Sequence, residues 1–93
     1  MTWTYSGDPK KSRLDNVRLL MGDTNENDQL LSNEEIQIFL EKTDSDLFAA
    51  ANACEALVAK LILRGRKDQA EMLKESCEQL RTRANSSVGP IVV

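Results

Sequence analysis

Apolar positions along the chain fall into four helical series. Leu14, Val17, Leu20 and Met21 recur at helical spacing behind Ser12, which has Asp15 three residues on in the pattern of a capping box. Gly22 is a good left-handed stop, so the spacing predicts a helix over 13–21. A polar loop from Asp23 to Gln29 follows. Ser32 and Glu35 then form a clearer capping box before Ile36, Phe39 and Leu40, with Leu31 placed to staple onto Ile36, and predict a second helix over 33–42. Leu47, Ala51, Cys54, Val58 and Leu61 alternate spacings of four and three in an Ala-rich background, predicting the strongest helix over 45–64. The apolar phase breaks at Arg64-Gly65-Arg66-Lys67 and restarts at Ala70, Leu73, Cys77, Leu80 and Ala84. Asp68 and Glu71 repeat the capping pattern, which favours a hairpin turning at Gly65 over one long helix, with Asn85-Ser86-Ser87 closing the last helix. Met21 and Met72 fall within or beside these series and are expected in the core.

The flanks differ from the middle. Trp3 and Tyr5 alternate with Thr2 and Thr4 ahead of Gly7-Asp8-Pro9, a period-two pattern that suits an extended arm ending in a turn. Half of the four aromatic residues therefore sit in a segment with no core of its own, and are expected to dock on this subunit's helices or another's. At the other end Val88-Gly89-Pro90-Ile91-Val92-Val93 is apolar and β-branched; such a segment either frays or docks in a groove or on a sheet edge. The expected class is all-α: a small four-helix subunit, two short helices and then a longer helix hairpin, with an extended N-terminal arm and a C-terminal tail. Residues 1–93 form a single domain divided into the arm (1–11), the helical core (12–84) and the apolar tail (85–93).

Composition narrows the function more than it names one. The 93 residues carry 12 Lys and Arg against 15 Asp and Glu, a net charge of -3, and no His. Without His there is no Ser-His or Cys-His nucleophile and no His-ligated zinc. The acidic balance lacks the basic footprint of a free-standing nucleic-acid binder. It is unevenly placed, since residues 1–46 hold 5 basic and 10 acidic groups, net -5, and residues 47–93 hold 7 and 5, net +2. Charge pairing between subunits could use that asymmetry. The start of the chain has no signal-peptide pattern and no apolar run nears a membrane span, so a cytosolic, soluble protein is expected. Cys54 and Cys77 fit neither a disulfide framework nor a zinc ribbon and are expected as buried, reduced thiols.

One loop invites a chemical reading. With Asp23 as the first position of a calcium loop, Asn25, Asn27, the Gln29 carbonyl and Glu34 fall at the third, fifth, seventh and twelfth, which makes a calcium-responsive or regulatory helical binding module the alternative function. Asp28 stands where the sharp turn calls for Gly and Leu31 offers no ligand, so a plain capped loop is the simpler reading and no metal or other cofactor is expected. Lys60, Arg64, Arg66 and Lys67 cluster at a helix end, where cations suit the dipole. Glu34, Glu35 and Glu41 lie on polar helix faces with no evident cause for a raised pKa, and no catalytic residue is expected.

The stretch Trp3-Thr4-Tyr5-Ser6-Gly7-Asp8-Pro9, then Ser12, Asp15-Asn16-Val17-Arg18-Leu19-Leu20-Met21-Gly22-Asp23-Thr24, then Leu30-Leu31-Ser32-Asn33-Glu34-Glu35-Ile36, resembles head-tail connector (adaptor, head-completion) proteins of tailed bacteriophages. The resemblance covers about residues 3–60. Such proteins have a longer segment between the last two helices than the tight Gly65 turn here. The resemblance implies an all-α subunit assembling into a homo-oligomeric ring, a dodecamer, beneath the portal protein of the virion. DNA would pass through the lumen without specific binding, and a stopper or tail-completion protein would dock on the other side. No active-site residues transfer. The expected portal or subunit interface residues are Trp3 and Tyr5 as arm anchors and Val88, Ile91, Val92 and Val93 as portal-docking side chains. Arg18 and Asp23 complete the set as a polar pair, which holds either the first helix's turn or a subunit contact.

Overall fold

The computed structural model describes residues 1–8 and 12–87. They form four helices, α1 (Arg13–Met21), α2 (Asn33–Glu41), α3 (Asp46–Leu63) and α4 (Lys67–Ser87), with no strand among the described residues. The protein is a small all-α domain. The tail residues Val88, Ile91, Val92 and Val93, and the Pro9 turn position, lie outside the described residues.

Each helix starts and stops for a local reason. Ser45 accepts from the Phe48 N–H to cap α3, and Ser32 and Glu35 close the expected capping box on α2. Ser12 accepts from the Asp15 N–H, but the box is only half made, because the Asp15 carboxylate accepts instead from the Ser6 backbone and hydroxyl. Two helices end in the same motif. Gly22, at φ 80°, lets Asp23 N–H reach the Arg18 carbonyl at 2.9 Å, and Gly65, at φ 76°, lets Arg66 N–H reach Leu61 at 2.9 Å. Because the Gly65 turn completes itself by Arg66, α4 begins at Lys67 and the third capping box does not form. Asp68 falls in the first turn, where its charge favours the helix N-terminus. At the other end α4 continues through Asn85 and Ser86 to Ser87, past the expected stop.

The helix α3 is central. It packs along α4 on one flank and against α1 and α2 on another. Its alanines Ala49, Ala50, Ala51 and Ala53 are fully buried, and their short side chains let neighbouring helices approach closely. Val17, Ile36, Leu57 and Leu61 fill the centre, with Leu31 and Ile36 both buried as the staple requires. The thiols of Cys54 and Cys77 meet between α3 and α4 as buried, reduced groups. Burial pushes both thiols above their usual pKa. Met21 joins the core as expected, but Met72 does not, being 77% exposed one position off the apolar stripe of α4.

Candidate functional site

The principal polar construction of the molecule is a latch that holds the N-terminal arm across the α1–α2 junction. Its centre is Arg18, on the last turn of α1, whose side chain is completely buried. A buried guanidinium is tolerated only when its donors are matched, and here they are. Nε donates to the Thr4 carbonyl at 2.7 Å, Nη1 to Asp23 Oδ2 at 2.5 Å and to the Leu31 carbonyl at 2.7 Å, and Nη2 to Asn33 Oδ1 at 2.7 Å. The guanidinium also sits 4.7 Å from the centroid of the Trp3 ring. Burial lowers the Arg18 pKa, opposed first by Asp23 and then by Asp15 and Glu35; an arginine stays charged regardless.

Asp23 completes the centre. Its Oδ1 accepts from Trp3 Nε1 at 3.2 Å and from the Leu30 N–H at 3.1 Å, while Oδ2 also accepts from the Leu31 N–H at 3.0 Å. The carboxylate thus gathers the arm, the loop and the entry to α2 around one buried charge.

Around this centre the arm is held by its backbone. Asn33 N–H donates to the Thr2 carbonyl at 2.6 Å, Thr4 N–H donates to Asn33 Oδ1 at 3.1 Å, and Glu34 accepts from the Thr2 N–H at 2.7 Å. These bonds let an isolated extended segment satisfy its polar groups without a sheet. The Thr2 N–H holds the Glu34 carboxyl below its usual pKa. For Glu35, burial pushes the pKa up, but the Ser32 N–H and Lys60 outweigh it and the net shift is downward. Lys60 reaches Glu35 at 3.0 Å and joins α3 to the start of α2.

Trp3 and Tyr5 are half-buried on this subunit. Trp3 seats in its own chain, against Asp23 and Arg18. Arg18 and Asp23 form the expected pair, but inside the subunit: with the residues 0% and 1% exposed they have no surface to offer a neighbour, and the subunit-contact expectation for them is corrected to a structural one. The reason is the Gly22 turn, which folds Asp23 back over Arg18.

Sequence reasoning missed Asn33, Glu34 and Asp15 as the residues that receive the arm. The signal was their spacing from Ser32 and Ser12 near two helix starts, where capping was a sufficient local explanation. Sequence also grouped Lys60, Arg64, Arg66 and Lys67 as one basic cluster. The fold divides them, pairing Lys60 with Glu35 and Arg66 with Asp28 at 3.2 Å, and leaves Arg64 and Lys67 on the surface.

The calcium-loop positions are used in the same way. Asp23 faces the core, Glu34 faces the arm, and Asn25 Oδ1 accepts from the Asn27 N–H at 2.9 Å in a local turn. No cluster of three or more metal-ligating side chains occurs among the described residues. None of the helices they form is long and apolar enough to cross a membrane. No family model, curated protein or solved structure matches the chain.

Proposed function

We infer that this protein is a structural, non-enzymatic connector of a tailed phage, a homo-oligomeric ring seated between the portal and the stopper or tail-completion protein. The observation that supports it is the latch itself. The residues on which the sequence resemblance rests, from Trp3 through Arg18 and Asp23 to Asn33 and Glu34, are joined in one hydrogen-bonded unit. The motif is thus accounted for as a folding signature, and its polar groups are engaged in holding the chain together. A subunit that works by assembly needs this: a rigid body whose arm, loop and helix junction move as one.

The charge fits the same reading. A net charge of -3 leaves the ring little affinity for phosphate, so a duplex in the lumen slides rather than sticks. The calcium-responsive alternative draws no support from the loop, whose first and last candidate ligands, Asp23 and Glu34, are engaged by the arm and by Arg18.

The test is mass by light scattering across a concentration series, followed by negative-stain imaging with and without portal protein. Rings, alone or nucleated by portal, are the expected outcome. A monomer or dimer indifferent to portal would overturn the connector reading and leave a small helical binding module.

A further inference from the structure

One surface is apolar and open. Between α2 and α3 runs a groove of about 450 Å³ whose floor is Ala56 and Ala59 and whose walls are Ile38, Phe39 and Leu63. Ile38 is 53% and Leu63 87% exposed, the pattern of a surface that lacks its cover. The charged groups on its lining, Glu35 and Lys60, are paired with each other at 3.0 Å. The groove therefore suits an uncharged, apolar guest whose backbone comes close to the two alanines.

The chain contains such a guest. Residues 88–93, Val-Gly-Pro-Ile-Val-Val, are an apolar run in the sequence that lies outside the described residues. Pro90 and the β-branched side chains bias them toward extended backbone, the form in which a peptide lies in a groove. Their own subunit's groove can be entered by them only at its near edge. Arg81 of α4 bonds Asn52 at 2.8 Å and pairs with Glu55 at 2.9 Å, so α4 runs antiparallel to α3 and ends beside its first turn. From that end the groove begins about 15 Å along α3, at Ala56, and finishes about 26 Å along, at Leu63. Six residues span at most roughly 20 Å, before any turn around the helix.

We propose that the α2–α3 groove receives residues 88–93 of a neighbouring copy, with Ile91 and Val92 against Ala56 and Ala59. This places the tail on a sister subunit rather than on the portal. The contact is head-to-tail, since each copy offers one tail and one groove, and it closes into a ring when the rotation per step divides a full turn. The proposal rests on the assembly reading above and specifies the joint.

Two full-length variants test it without portal. Ala59→Glu blocks the groove and leaves the tail; Ile91→Asp with Val92→Asp spoils the tail and leaves the groove. Wild-type mass should rise with concentration, each variant alone should stay monomeric, and an equimolar mixture should form a dimer and stop there, because only one good tail meets one good groove. Circular dichroism melts of both variants within a few degrees of wild type exclude misfolding. A wild type monomeric at all concentrations, or either variant assembling like wild type, overturns the proposal. So does a mixture with no dimer, which points to a face-to-face dimer. Failure here with rings still forming on portal sinks the joint alone. A dimer in the mixture with no rings on portal sinks the connector reading and keeps the joint.

Discussion

Asp23 meets Arg18 twice, once through its backbone N–H to the Arg18 carbonyl at 2.9 Å and once through its carboxylate to the guanidinium at 2.5 Å. The first bond belongs to the Gly22 turn, and that turn is what sets the second. Two residues five apart in sequence, on opposite sides of a helix end, are thereby stacked into one buried charge pair that also receives the arm and the start of α2.

Removing one member of this pair strands the other. Asp23→Ala leaves the Arg18 guanidinium buried without its carboxylate and should cost about 3–5 kcal/mol, enough to unfold much of the population of a domain this size. The double variant Arg18→Met, Asp23→Leu should lose less than Asp23→Ala alone. Urea melts of the three proteins decide it; a double variant worse than the single one would refute the buried-pair account.

The sole tryptophan reports on the arm. Trp3 gives up its Asp23 hydrogen bond and its seat beside Arg18 when the arm leaves. Asn33→Ala removes arm contacts through Thr4 and should shift Trp3 emission to the red at temperatures below the main transition, with helix content little changed. Emission that moves only with global unfolding would mean that the arm and the helices melt as one.

Acid should weaken the latch. Glu34 and Glu35 both titrate below their ordinary value of 4.5, Glu34 through the Thr2 N–H and Glu35 through Ser32 and Lys60 against the cost of burial. The unfolded chain therefore binds more protons than the folded one around and below that pH, and the stability these groups add is present above it and lost as pH falls. Unfolding free energy measured from pH 6 to pH 3 should fall more steeply for wild type than for Glu35→Gln. Parallel curves would show that Glu35 contributes nothing to the pH dependence.

Both thiols should be silent until the domain opens. Cys54 and Cys77 are buried, with pKa values pushed up, so a thiol-specific disulfide reagent at pH 8 should react slowly in buffer and at once in urea. Rapid native labelling of either would place α4 in frequent local detachment from α3.

The hairpin depends on a left-handed residue. At Gly65 an added Cβ meets no atom within 4 Å, so Gly65→Ala should cost only the backbone strain of φ 76°. That is about 1–2 kcal/mol, read as a fall in Tm of several degrees. A variant as stable as wild type would mean that the turn relaxes to another conformation.

The four helices were legible because each is written locally. Ser32 with Glu35, the Ala-rich series from Leu47 to Leu61, and Gly22 and Gly65 act over a turn or two of chain, and the structure places those helices within a residue or two of their expected bounds. Sequence erred where two local explanations competed. Asp68 looked like a cap, yet after the Gly65 turn the helix begins two residues sooner, at Lys67; Met72 looked like core, yet the stripe of α4 passes beside it.

What the sequence by itself determined is the helical class, the hairpin and the absence of histidine chemistry, since periodicity, capping and composition need no partner from elsewhere in the chain. What only the tertiary structure decided is where the polar groups go. Asp15, Asn33 and Glu34 read as helix-start residues until the arm arrives to use them, and Arg18 and Asp23 read as a possible contact until the Gly22 turn buries them. Hydrogen bonds between segments thirty residues apart leave no periodic trace, because their geometry exists only once the helices have packed and the arm has been laid across them.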